Sequence, residues 1–181
     1  MRPGPIPGPK PLMCCSVYLS RFMLKAPHLA VVKIKVRIRI DAPRERIWEF
    51  LGDSNNDPYF WRGITSVRNL SRNGNVLIRE VILGDDNTCT QAVTVWPPEK
   101  IQTRWVGGVI EGTREILLIS VGASTLLEIH INYEFPGLGQ SDSKLLAKLF
   151  QNEAEFAADL IKRKAEEFYS DSQLERKLWV N

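Results

Sequence analysis

Histidine is scarce in this chain of 181 residues: His28 and His130 are the only two. Nucleophilic catalysis by Ser or Cys needs a base beside the nucleophile, and a structural or catalytic zinc site needs several clustered Cys, His or carboxylate ligands. Two isolated histidines, one near the N-terminus and one in an alternating apolar segment, supply neither. Cysteine is equally sparse. Cys14, Cys15 and Cys89 cannot all pair and two are adjacent, so a disulfide framework is not expected and a reducing, cytoplasmic setting is the simplest reading. No run of about 18 apolar residues exists to form a spanning helix. Gly107-Gly108 and Gly137-Leu138-Gly139 lack the spacing and the strand-to-helix setting of a phosphate-binding loop, so no nucleotide cofactor and no metal is expected.

An excess of one charge sign is also missing from the body of the chain. The net charge of +3 arises at the N-terminus, where residues 1–30 hold Arg2, Lys10, Arg21 and Lys25 and no acid. The remainder is close to neutral and lacks the basic field that binding nucleic acid requires, so no nucleic-acid partner is expected.

Residues 1–30 begin Met-Arg-Pro-Gly-Pro-Ile-Pro-Gly-Pro-Lys-Pro, which fixes φ and removes backbone donors at alternate positions. This segment reads as an irregular extension. Leu12 to Leu19, flanked by basic residues, faintly resembles a signal peptide, but it is short for one and no small-x-small cleavage site follows.

From Val32 the pattern becomes strict. Lys33, Lys35, Arg37 and Arg39 alternate with Ile34, Val36, Ile38 and Ile40, the mark of a strand with one buried face and one cationic face. Asp41-Ala42-Pro43 leads into a short helix through Leu51, ended by Gly52-Asp53, and Asn55 to Trp61 reads as a second. Six further strands follow: Thr65 to Ser71, Asn75 to Leu83, Thr88 to Trp96, Lys100 to Gly107, Thr113 to Val121 and Thr125 to Phe135. Asn73-Gly74 marks a hairpin between the first two of these. Pro136-Gly137-Leu138-Gly139 stops the last strand, and Ser141, Asp142 or Ser143 can cap a helix running to about Tyr169.

This order predicts an α+β helix-grip fold, a seven-stranded antiparallel sheet curved around the long C-terminal helix, with two short helices after the first strand. The expected divisions are an extension at 1–30, a ligand-binding domain at 31–170 and a tail at 171–181.

Over about residues 31 to 170 the chain resembles the SRPBCC superfamily, which includes the birch-pollen allergen, the lipid-transfer START domains and the polyketide cyclase/dehydrase proteins. The resemblance rests on Ile40-Asp41-Ala42-Pro43 leading to Ile47-Trp48-Glu49-Phe50-Leu51, on Pro58 to Trp61 before Ser66-Val67, and on Trp96-Pro97-Pro98-Glu99-Lys100-Ile101. It implies a cavity for a hydrophobic small molecule such as a lipid, quinone or polyketide, in a monomer or weak dimer. Binding or carriage is the leading reading. A cyclase/dehydrase enzyme using cavity carboxylates and a ligand-controlled interaction module are the alternatives.

The candidate cavity residues are Phe60, Trp61, Arg79, Trp96, Arg104, Trp105, Phe150, Glu153 and Ala157. Phe60 and Trp61, between the short helices and the sheet, are candidates for an entrance. Helical phase places Glu153 at about 80° from Leu145, in the middle of the apolar stripe of the last helix. An unpaired charge there is costly, so Glu153 is expected to meet Arg79, Arg104 or a polar ligand group, unless a bow in the helix leaves it in solvent.

The outward set Glu128, His130, Asn132 and Glu134 is expected to face solvent beside the basic ladder and to pair with it. The unpaired excess of Lys33, Lys35, Arg37 and Arg39 offers a surface for transient membrane contact. Because residues 1 to about 28 offer no periodic apolar face, deleting them is expected to leave Tm nearly unchanged. A fall of many degrees in a thermal melt would show that the segment packs on the domain.

Overall fold

The computed structural model describes residues 29–84 and 86–179. The N-terminal segment, with Cys14, Cys15 and His28, lies outside the described residues, as does the end of the chain from residue 180. Strand β1 (Leu29–Ile40) is followed by helix α1 (Arg44–Leu51), a 3-10 turn (Ser54–Asn56) and a four-residue helix, α2 (Asp57–Phe60). Then come β2 (Ile64–Asn73), β3 (Val76–Leu83), β4 (Thr88–Trp96), β5 (Lys100–Gly107), β6 (Glu111–Val121), β7 (Ser124–Pro136) and helix α3 (Gln140–Trp179).

The seven strands form one antiparallel sheet in the order β1-β7-β6-β5-β4-β3-β2. Irregularities in register fall between β2 and β3 and between β4 and β5, where they bend the sheet. Helix α3 lies along β1 and touches β7 only at its margin, while α1 and α2 pack beside it. The inner face of the middle strands therefore looks onto the space between sheet and helix. This is the expected helix-grip architecture.

Four local details sharpen the expectation. β1 takes in Leu29 and Ala30, because these residues pair with Pro136 and Phe135. The Gly52 that ends α1 has an ordinary helical φ of −67°, and glycine is needed there because a Cβ would sit 2.6 Å from the Trp48 indole nitrogen. Asp142 caps α3 from its third position, its carboxylate accepting from the Gly139 N–H at 3.0 Å. The helix also continues past Tyr169 to Trp179, since no glycine or proline follows Gly139 within it.

Two hairpins, β2–β3 and β6–β7, close with two-residue loops whose first residue is a positive-φ glycine, Gly74 (58°) and Gly122 (63°). No helix among the described residues is long and apolar enough to cross a membrane.

The cationic ladder meets β7 as alternation predicts: Lys35 lies opposite His130 and Arg37 opposite Glu128. Glu128, however, does not face solvent, for its side chain is only 6% exposed. The longer side chains around it cover it, with Lys35 Nζ at 3.2 Å, His130 Nε2 at 2.9 Å and the Arg37 guanidinium in contact. Arg39 turns instead to Ser124 Oγ at 3.0 Å and to Asp41. Burial pushes the Glu128 carboxyl up, but hydrogen bonds from His130, Lys35 and Arg37 outweigh it and bring the pKa to about 2.

A carboxyl with a depressed pKa stabilises the native state fully above its ordinary value of 4.5, and that contribution disappears as pH falls toward about 2. Glu128→Gln is expected to lower stability at neutral pH by on the order of 1 kcal/mol, since its partners Lys35 and Arg37 are more than half exposed. Urea titrations should show the gap from wild type closing across that acid window. A gap independent of pH there would contradict the assignment.

Candidate functional site

Register across the sheet builds the site. Asn69, Arg79, Gln91, Trp105, Gly112, Tyr133 and Val32 are successive partners from β2 to β1, forming one row. The neighbouring row runs Leu77, Val93, Thr103, Arg114, Ile131 and Ile34. Both rows lie on the inner, concave face, which places two arginines and a glutamine among aliphatic and aromatic side chains.

Arg79 is fully buried. Its Nε and one terminal nitrogen donate to Gln91 Oε1 at 2.9 and 2.7 Å, and the other terminal nitrogen donates to the Ser54 carbonyl at 2.7 Å. Asp57 reaches in from the first position of α2, and its Oδ2 accepts from both arginines: from Arg79, and from Arg114 at 2.6 Å. The Trp61 ring lies against the Arg114 guanidinium, 4.0 Å from centroid to carbon, a cation–π contact.

Burial pushes the Asp57 carboxyl up, but Arg114 and Arg79 together hold it below its ordinary value, so it is ionised. Burial likewise raises the Tyr133 hydroxyl, with Arg114 opposing, and keeps it protonated.

Gly112 explains how two rings meet beside this cluster. Its φ is 105°, and a Cβ there would lie 2.1 Å from the Asn132 carbonyl oxygen, so no other residue fits. The space it leaves in its row lets Trp105 and Tyr133 pack edge-on at 6.0 Å. Tyr133 also packs edge-on against Phe150 of α3, at 5.3 Å. The Trp105 indole N–H lies near the Tyr133 hydroxyl but outside hydrogen-bond geometry.

Of the residues singled out from sequence, the structure brings Trp61, Arg79, Trp105 and Phe150 together at this face. Ala157 is fully buried on α3. Phe60 is buried too, packed against Phe50 and Tyr59 beneath Lys164 on the helix side of the core.

Two candidates fall on the wrong side of the sheet. Arg104 sits between inward Thr103 and Trp105 and is therefore exposed on the convex face. Trp96, one residue past the inward Val95, is 40% exposed beside Lys100. Glu153 meets neither Arg79 nor Arg104. Its carboxylate faces the backbone N–H groups of Arg62 and Gly63, while the Arg62 guanidinium stacks 3.3 Å over Phe156. Burial there pushes the Glu153 carboxyl up.

Asp57, Gln91, Thr103 and Arg114 escaped the sequence reading. The last three carry a legible signal, being polar residues at inward phase of alternating strands. Asp57 carries none, because it looks like an ordinary residue opening a helix before Pro58.

Residues 31–166 match the model of the family described as polyketide cyclase/dehydrase and lipid transport. The chain belongs to this family. Among solved structures it is similar to the Zhui aromatase/cyclase of Streptomyces sp. R1128, with a TM-score of 0.64 and 15% identity over 75% of this chain and 94% of that one. It is also similar to a START superfamily protein of Mycobacterium smegmatis, with a TM-score of 0.59 and 21% identity over 75% and 98%. It matches the di-domain aromatase/cyclase StfQ of the steffimycin pathway with a TM-score of 0.64 and 14% identity over 78% and 53%. No curated protein matches in sequence. Likenesses at these identities establish the fold, and the membership supports a ligand-binding or cyclase-type role without choosing between them.

Asp57→Asn leaves two buried guanidinium groups without their shared counter-charge, and this family member is expected to lose about 3 to 5 kcal/mol of stability. Chemical denaturation at neutral pH measures the loss. A cost near zero would show that the charges of Arg79 and Arg114 are compensated elsewhere.

Proposed function

We propose that the protein binds or carries an apolar small molecule of the lipid, quinone or polyketide type in an internal cavity on the concave face, with the molecule's polar end at the Arg79–Asp57–Arg114 cluster. One observation carries this reading: a charged cluster sits fully buried on an otherwise apolar inner face, and its Arg114 Nε and Gln91 Nε2 have no hydrogen-bond partner. Unsatisfied buried polar atoms cost stability, so a ligand group that reaches them gains what the free protein forgoes. The aromatic and aliphatic neighbours would hold the rest of the molecule.

Binding is favoured over catalysis by the state of the carboxylates. Oδ2 of Asp57 is taken by two guanidinium groups that hold the carboxyl ionised, which makes it a poor proton acceptor. Glu153 is engaged with the backbone at Arg62 and Gly63. Among the described residues no carboxylate other than Asp57 is bonded to this cluster.

Native mass spectrometry of protein purified from its own host tests the reading. The expected result is a bound small molecule that is released on denaturation. An apo mass alone, together with failure to bind the neutral apolar probe N-phenyl-1-naphthylamine, would overturn it.

A further inference from the structure

The unpartnered atoms of the inner cluster share a chemical sign. Trp61 Nε1, Gln91 Nε2 and Arg114 Nε are all hydrogen-bond donors, and so is Trp105 Nε1. Among the described residues no buried side-chain acceptor is left unpartnered. These donors are neighbours. Trp61 lies on the Arg114 guanidinium, Gln91 is the cross-strand partner of Trp105, and Arg79 joins Gln91 to Asp57, which in turn binds Arg114.

The formal charge of the cluster points the same way, since two guanidinium groups face one carboxylate. Among the described residues Asp57 is the one carboxylate in an ion pair with either arginine. The site lacks one negative charge and a set of acceptor lone pairs.

The geometry points to a ligand whose polar end is a single-charge, acceptor-only oxygen group, a carboxylate on an apolar body. This assignment rests on the proposal that the concave interior takes a ligand, and it specifies the ligand's class. A carboxylate supplies two acceptor oxygens and one charge, matching the surplus of one cation and the cluster of free donors. An ammonium group would add a second unbalanced cation beside two arginines. An alcohol would accept hydrogen bonds but leave the charge uncompensated in a dry site.

Two measurements decide this. In the first, dodecanoate, dodecanol and dodecylamine displace N-phenyl-1-naphthylamine from the full-length protein. Dodecanoate is expected to bind at least about tenfold more tightly than the alcohol, with the amine weakest. Equal affinities, or an amine that binds best, would overturn the carboxylate assignment while leaving the apolar-binding proposal standing. Failure of all three ligands and of the probe would remove that proposal instead.

The second measurement uses Gln91→Glu, which keeps an acceptor for Arg79, removes an unpartnered donor and builds the missing charge into the protein. The variant is expected to melt higher than wild type without ligand, and to lose the preference for acid over alcohol while still binding the neutral probe. A preference that survives in the folded variant would overturn the assignment. Should the variant fail to fold, the wild-type series decides the question alone.

Discussion

Two arginines buried on the same face of a sheet repel each other and forgo water, so they can be held there only if an anion sits between them. Asp57 Oδ2 accepts from both, and that shared oxygen constrains much of what surrounds it. A helix of four residues has almost no stability of its own, yet α2 must stand where its first residue reaches both β3 and β6. The turn before it is held by the bond from Arg79 to the Ser54 carbonyl, and Asn69 of β2 adds a bond to Asn55 at 3.0 Å. The chain after it delivers Trp61 onto Arg114. Sheet and short helices are thus joined by charge as much as by apolar packing.

The convex face solves a related problem with the signs reversed. There one nearly covered acid, Glu128, collects Lys35, Arg37 and His130, and the bases keep much of their exposure. Water and three partners balance that site. The inner site has a surplus of one cation and no such access to solvent, and this contrast makes the inner cluster the functional candidate. It also reduces the free charge of the basic ladder, because part of it is spent on Glu128 and Arg39 turns to Ser124 and Asp41.

Family membership and the solved relatives describe a scaffold on which several activities are built, and identities of 14 to 21% convey the scaffold alone. The functional candidate is therefore defined by this chain's own side chains: which donors are unpartnered, which carboxylate is already engaged, and which rings pack beside them. The engagement of Asp57 bears on this most, since the same residue that makes the arginines tolerable is thereby withheld from acid–base chemistry.

What the sequence determined by itself was whatever depends on local period and turn chemistry. Alternation from Val32 to Ile40 named the inward and outward residues of β1, and the glycines and prolines marked the strand ends to within a few residues. The same alternation, applied to Gln91, Thr103 and Arg114, would have flagged polar side chains on the inner face. Register between strands was not legible, because period two says which face a residue occupies and nothing about which neighbour it meets. Alternation would also have placed Arg104 on the outer face between inward Thr103 and Trp105, whereas the neighbour of Glu153, the backbone at Arg62 and Gly63, is set by how the last helix packs and not by any local period. The burial of Glu128 and the role of Asp57 were decided only in three dimensions. Both depend on long side chains from separate elements converging on one carboxylate, and no local pattern records that convergence.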